Sequence, residues 1–452
     1  VDVLIEGATI VTGGPSLPIQ GGAVLIDGGL IRDVIESPGE PRPENAGRII
    51  DGTGLLAIPG IINGHCHGCT AGPLFPSGSL PLPLQKARRN AMKMLSQGVT
   101  TLINMCGFAD RDDALSVGRQ VPVNVRIATC HTPSSLEAAL MVDGKGLEER
   151  HRRKTVFEML EDGAAAIGEM GSGASLGGGV TEYKYIPEEI QKMTGRAITA
   201  QQAKALKEAV LGRELSPGSY DGAKTEALME ELGLAGAIST DELKEMMLRV
   251  ALKPVIPSLQ SFDEACGMAR DSGAPVVFHN SLVSAEKILE LCRKYGGRNF
   301  KMVAAHCNHP SFTPAEAVRY ARLLKEAGAV IDVSSLDCII TRWMNGPENI
   351  EALAGEGLID TISTDYGGGY WDGILETVHY LVNRGLTSLP RAVAMATSAP
   401  AGVFPLAARN RGLIEKGRAA DIVLCDSKNP GRVETVIIGG KIVLDGGFPL
   451  PL

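Results

Sequence analysis

Aromatic side chains are scarce in this 452-residue chain, at 4%, so its interior must be built from aliphatic residues, alanine and glycine. It has no run of about 18 apolar residues, which excludes a membrane-spanning helix from the sequence given. No long basic block occurs and the net charge is −8, which argues against a nucleic-acid surface and against docking to an anionic membrane. The nine cysteines are odd in number and scattered, unlike a disulfide framework, so a reducing, cytoplasmic compartment is expected. The opening VDVLIEGATIVTGG reads as strand rather than as a secretion signal. No repeat or low-complexity tract stands out. What remains is a globular protein whose default partner is a small molecule.

The length exceeds that of one compact domain, so a large domain plus a smaller one is expected. The first 55 residues hold short alternating runs (DVLIEGATIV, GAVLIDGGLIRDVI, GRIIDGTGLLAI) broken by Gly pairs, the pattern of small antiparallel strands. The C-terminal end repeats it in GLIEKGRAADIVLCD and VETVIIGGKIVLDGG, where Gly-Gly marks a hairpin. Residues 1–55 and 405–452 are therefore expected to form one small β-sandwich domain together.

Between them, residues 56–404 alternate short apolar runs with longer helical stretches, the mark of parallel strands and crossover helices. Eight runs stand out: 56–67, 99–105, 124–130, 164–170, 275–279, 301–307, 330–335 and 361–365. Eight βα units predict a (β/α)8 TIM barrel, whose working residues sit at the C-terminal ends of its strands. About 105 residues separate the fourth run from the fifth, far more than a crossover needs. A helical insertion over about 180–257 is expected, since AITAQQAKALKEAVLG and STDELKEMMLRVAL have helix-forming composition and spacing. A lid, an oligomer contact and a passive insertion all fit it.

The unusual residues fall where that fold does its chemistry. His65 and His67 end the first run, two apart, and so face the same side of a strand. His279 ends the fifth run, His306 lies at the end of the sixth and Asp365 ends the eighth. Only eight histidines occur in the chain, so four at strand ends point to a metal centre rather than to scattered core histidines. Imidazole and carboxylate ligands suit zinc, iron, manganese or cobalt in a catalytic site with open positions. Such a metal brings the pKa of its water to about 7 and polarises the group attacked, which favours hydrolysis. Asp365 is the candidate general acid/base. Glu169, closing the fourth run in IGEMGSG, is the candidate bridge between two metals. Cys66, Cys69 and Cys307 flank these histidines and read as buried packing residues.

With HCH after run one, a carboxylate after run four, His after runs five and six and Asp after run eight, the chain resembles the amidohydrolase superfamily. DVLIEGATIVT, LLAIPGIINGHCH, GVTTLI and GLIEKGRAADIVLCD look like its recurring segments, so the match spans nearly the whole chain. The resemblance implies a barrel with a composite β-sandwich and a site for one or two metals. It implies that His65 and His67 hold the more buried metal, that His279 and His306 hold the more exposed one, and that Asp365 joins the first and shuttles protons. Many binuclear members carry a carboxylated lysine where Glu169 stands, and glutamate there is similar to the enamidase branch. The stretch from VFHNSL to GAVIDVSS is similar to the isoaspartyl dipeptidase branch. Deaminase members present His-x-x-Glu at the fifth strand, whereas this chain has HNSL, with Leu282 in the glutamate's place.

The expected reaction is hydrolysis of a C–N amide bond, in a cyclic amide or lactam. The alternatives are an isoaspartyl-type dipeptidase and, outside enzymes, a metal-binding scaffold. Arg342, Tyr366 and Trp371 follow runs seven and eight and are the candidate substrate contacts, Arg342 as a bidentate partner for a carboxylate. A homo-oligomer is expected.

Overall fold

The computed structural model describes residues 1–37, 45–176, 179–297, 299–335, 337–340, 345–365 and 371–451. Each of the eight apolar runs holds a parallel strand: β1 Ile61–Cys66, β2 Val99–Asn104, β3 Asn124–Ile127, β4 Ile167–Met170, β5 Val276–His279, β6 Met302–Ala305, β7 Val330–Ser334 and β8 Thr361–Ser363. Most of these strands are buried along their whole length, which is why their sequences are continuously apolar rather than alternating. They form two ladders, β1-β2-β3 and β4-β5-β6-β7-β8. At one junction Thr129 and Ile167 make a parallel bridge, and the Gly168 N–H donates to the Thr129 carbonyl at 2.7 Å. At the other, the Asp365 N–H donates to the His65 carbonyl at 3.0 Å, and the Asn63 amide donates to the Thr364 hydroxyl at 2.8 Å. The second junction matters for function, because it fixes two predicted site residues against each other through the main chain.

The run 56–67 divides in two. Leu55–Pro59 pairs with Ile422–Asp426 in the sheet of the two chain ends, and only Ile61 onward joins the parallel strands. Both halves are apolar, so hydrophobicity gave no mark of the change. Gly60 is the crossing point, where a Cβ would lie 2.2 Å from the Thr100 hydroxyl.

The two ends do come together, in one continuous nine-stranded sheet rather than as two separately hydrogen-bonded layers. Ile5, Ile10, Val24, Ile26 and Ile31 share one hydrophobic cluster with Ile422, Leu424 and Ile437. Not all pairs are antiparallel: Arg48–Asp51 and Leu55–Pro59 both run parallel to Val3–Ile10. The predicted hairpin is present, with Ile438 opposite Lys441 and positive φ at both Gly439 and Gly440, as a tight two-residue turn demands.

The long connection after β4 is helical. Thr199 caps Ala200–Leu211 in a reciprocal box with Gln202, and Ser239 caps Thr240–Met247 in the same way with Glu242. The second helix continues as a π-helical turn, Leu248–Leu252, and is followed by Val255–Ser272. Arg213, just after the first helix, is held by Glu316 at 2.7 and 3.2 Å on the neighbouring helix Pro314–Glu326. That guanidinium pulls the Glu316 carboxyl down to about 2. A lowered folded-state pKa stabilises above the unfolded value and is lost as pH falls through the folded one. Glu316→Gln is therefore expected to lower the Tm by about 1–2 °C at pH 7, the pair being partly exposed. The difference from wild type should shrink from pH 4.5 down to about 2. Thermal melts at both pH extremes check this, and an equal Tm difference at each would disprove it.

Candidate metal centre

The strand ends bring the six candidate residues together. Glu169, at the third position of β4, points both carboxylate oxygens into the cluster. Its Oε1 lies 2.8 Å from His279 Nδ1 and 3.0 Å from His306 Nε2. Its Oε2 lies 3.6 Å from His67 Nε2 and 3.8 Å from His65 Nε2. Asp365 completes the second half, its Oδ1 at 3.4 Å from His67 Nε2 and 3.5 Å from His65 Nε2. The six predicted residues thus form one cluster of two overlapping donor sets, His65–His67–Asp365 and His279–His306, with one oxygen of Glu169 given to each and His306 also within reach of His65 and Asp365.

The backbone bends to achieve this. His306 and Asp365 both have positive φ, 37° and 50°, a conformation that costs a non-glycine residue about 1–3 kcal/mol. At Asp365 the bend is tied down by the bond from its N–H to His65. At His306 the N–H faces Asp332 Oδ2 at 3.4 Å, and that buried carboxylate is itself held by the Thr361 and Ser363 hydroxyls, each at 2.7 Å.

Electrostatics favour ionised carboxylates here. Burial pushes Glu169 up, but His279 and His65 outweigh it and hold its carboxyl well below the usual range. Burial opposes ionisation of Asp365 too, and His306, His67 and His65 overcome it to keep that carboxyl low. Among the imidazoles, burial works against the charged form of His306, yet Asp365 and Glu169 raise it to about 9. The donor set accepts cations for a simpler reason as well. His65 Nε2 and His67 Nε2 are only 3.2 Å apart and share the same two carboxylates. With both rings protonated at Nδ1, the two Nε2 lone pairs and the two carboxylates converge on one point, which suits a cation. Nitrogen and carboxylate donors without thiolate fit a divalent transition metal in each half. No cysteine is a candidate ligand: all nine are free and buried, and the metal-competent groups among the described residues contain none. Cys66 and Cys69 bracket His67 with C-x-x-C spacing, but both are packed in the core.

Three neighbours were not legible as site residues in the sequence. His309 packs edge-on against His279 and at a tilt against His306, with ring centroids at 5.3 and 5.5 Å, and its Nδ1 meets the Ser311 hydroxyl at 2.8 Å. Its three-residue spacing from His306 was the available signal. Cys106, just past β2, places its sulfur 3.6 Å from His67 Nδ1. The remote nitrogens of His65, His279 and His306 are buried without a hydrogen-bond partner among the described residues, so His67 stands apart in having this support. Phe75 sets its ring 5.2 Å from that of His67, at a φ of 59°. Among the substrate candidates, Trp371 donates its indole N–H to Gln97 at 3.2 Å and lies under the Lys93 ammonium. Arg342 and Tyr366 lie outside the described residues.

Asp110, Asp113 and His151 also cluster. Here Asp110 and Asp113 form the capping box of helix Arg111–Gly118, Arg150 pairs with both, and His151 pairs with Asp113 at 3.1 Å. Every charge in the group is met within the protein, so the cluster is a capping and ion-pair network.

Residues 176–443 match the model of the Amidohydrolase family. A curated relative, the 5-methylthioadenosine/S-adenosylhomocysteine deaminase of Pelotomaculum thermopropionicum, is 21% identical over 98% of this chain and 93% of its own length. Among solved structures, the β-aspartyl dipeptidase of Fervidobacterium islandicum AW-1 has a TM-score of 0.59 at 17% identity, covering 100% of this chain and 98% of that one. Enamidase has a TM-score of 0.56 at 16% identity, covering 99% and 97%. With a match over more than half its length and a site of four histidines and two carboxylates on parallel strand ends, the chain belongs to the amidohydrolase family.

Proposed function

We propose that the chain hydrolyses a C–N amide bond in a cyclic amide or lactam, with Asp365 as proton shuttle. The reading takes the eight strands as a closed (β/α)8 barrel, joined at the two junctions described, and residues 1–55 and 405–452 as a separate small domain. The observation that carries it is the division of Glu169's two oxygens between two histidine pairs, which suits one bridging carboxylate between two cations. Zinc is the first choice of metal, with iron or manganese as alternatives, and when bound such ions acidify water and polarise a carbonyl.

The chain's own groups do the rest. Glu169 and the four imidazoles hold position because each is buried and fixed to a strand end. Asp365 differs from them: its side chain is 24% exposed, against 6% or less for the other five, so it faces the open side of the cluster. With Oδ1 engaged by His65 and His67, its Oδ2 is the atom that takes a proton from the attacking water and returns it to the leaving nitrogen.

Leu282 favours amide hydrolysis over deamination. It is buried, and its N–H donates to the Ser311 hydroxyl at 3.0 Å, so no carboxylate stands three residues after His279 to protonate a leaving ammonia. An isoaspartyl dipeptide is the second reading, supported by the likeness to the β-aspartyl dipeptidase. A non-catalytic scaffold would have no use for the exposed carboxylate beside the histidines. The protein is proposed to be cytoplasmic; among the described residues no helix is long and apolar enough to cross a membrane.

The test is a turnover screen of metal-reconstituted protein against cyclic amides, dihydropyrimidines, isoaspartyl dipeptides and aminopurines. Ring opening of a cyclic amide is expected, and ammonia release from an aminopurine as the main activity would overturn the reading. Purified protein is also expected to carry about one to two equivalents of transition metal and to lose activity on prolonged chelation. Activity that persists in chelator with under about half an equivalent bound would rule the metal out.

A further inference from the structure

Asp332 puts a carboxylate where neighbouring strands put alkyl groups. Ile331 and Val333 share a hydrophobic cluster with Ala321 and Leu324 of helix Pro314–Glu326, so the side chain between them points to the opposite side of β7. On β2, β5 and β6 that side is apolar, with Ile103, Val277, Val303 and Ala305 in one cluster.

The carboxylate is hydrogen-bonded but not neutralised. Asp332 is only 4% exposed. Its Oδ1 accepts from the Thr361 hydroxyl and its Oδ2 from the Ser363 hydroxyl, each at 2.7 Å, and Oδ2 also faces the His306 N–H at 3.4 Å. Donors on both oxygens are the pattern of an ionised group. No lysine or arginine pairs with it among the described residues, whereas Glu169 and Asp365 have imidazoles beside them. Burying an ionised carboxylate without a cation is strongly unfavourable. A link between β7 and β8 alone would not require it, because an asparagine could meet the same two hydroxyls without the charge.

We infer that Asp332 is a positioning residue for the metal centre: its carboxylate, fixed at the His306 backbone, finds its counter-charge in the cations held by the cluster and strengthens their binding. This rests on the two-cation reading of the Glu169 site, and not on the reaction. Glu169 and Asp365 alone would leave two divalent cations with an excess of two positive charges, and Asp332 halves that excess. In a low-dielectric interior such a charge acts without touching the metal. The same group faces the main chain of His306 at its positive φ, so it serves both the ligand's placement and the charge around it.

Competition between the metal-free protein and a chromogenic zinc chelator measures the affinity, and melts with and without zinc give a second readout. Neither involves turnover. Asp332→Asn keeps the size of the side chain and can keep both hydroxyl contacts, since an amide accepts from one and donates to the other. It is expected to bind zinc at least about tenfold more weakly. Its metal-free Tm should stay at or above that of wild type, because an unpaired charge has left the interior. A merely structural role would do the reverse, lowering the metal-free Tm and leaving the affinity alone. Should the amide not be accommodated, Asp332→Ser carries the same expectation of weaker zinc binding. Ser363→Ala removes one hydroxyl and keeps the charge, so its zinc affinity should stay within about threefold of wild type. Equal zinc affinity in wild type and Asp332→Asn would overturn the inference and leave the metal reading standing. An equal loss in Ser363→Ala would overturn it too, by placing the effect in the hydrogen bonds. A wild type that binds no zinc would overturn both readings together.

Discussion

Asp365→Asn is expected to lower kcat by at least about 10²-fold, the loss typical of removing a general acid–base group. The substitution keeps the side chain's shape and an oxygen toward His65 and His67, so metal content and Tm should stay near wild type. What changes is the basicity of the one cluster residue that faces outward: an amide cannot take the water's proton. The two parameters separate the roles. If Asp365 only helped to seat a metal, Asn would lower occupancy, and added metal would recover kcat. If it shuttles protons, the fully loaded Asp365→Asn variant stays slow. A near-normal kcat on a substrate whose chemical step limits turnover would show that another group moves the proton.

The grouping of the candidate ligands was legible because the fold ties them to strand ends. A histidine at the close of an apolar run in a βα repeat has one place to point, and five of the six predicted positions needed only the run boundaries. Glu169 needed the same reasoning and the absence of a lysine nearby. The neighbours were hidden for a physical reason. His309, Cys106 and Phe75 lie in the turns after strands, where direction depends on backbone bends that no periodicity encodes. Phe75 takes a positive φ that a phenylalanine rarely adopts, so its approach to His67 was not predictable from residue type. The division of residues 56–67 was hidden for the opposite reason: both halves are equally apolar, and the change of sheet is written only in which strands they meet. The insertion's helices were readable from composition and capping residues, but not which apolar residues stay outside, since Leu248 and Ile256 are exposed whereas Leu252, at the same spacing, packs on the core.

Glu169→Gln is expected to cost one metal and most of the activity. In the wild type each oxygen of Glu169 serves a different histidine pair, 2.8 and 3.0 Å on one side and 3.6 and 3.8 Å on the other. Glutamine keeps one oxygen acceptor and turns an N–H₂ toward the opposite pair, where it meets nitrogen lone pairs and repels a cation. The pair that depends most closely on Glu169 suffers most: His279 and His306 lie 2.8 and 3.0 Å from it and only His306 also groups with Asp365, whereas His65 and His67 both retain Asp365 at 3.5 and 3.4 Å. The expected product is a protein with one metal, bound by His65, His67 and Asp365, with kcat lowered by at least about 10²-fold. A second readout separates this bridge from a carboxylated lysine. Glutamate is a carboxylate without further chemistry, so reconstitution of the wild type should proceed equally with bicarbonate present or rigorously excluded. Two metals retained in Glu169→Gln, or a bicarbonate requirement in the wild type, would show that a different group joins the two halves of the site.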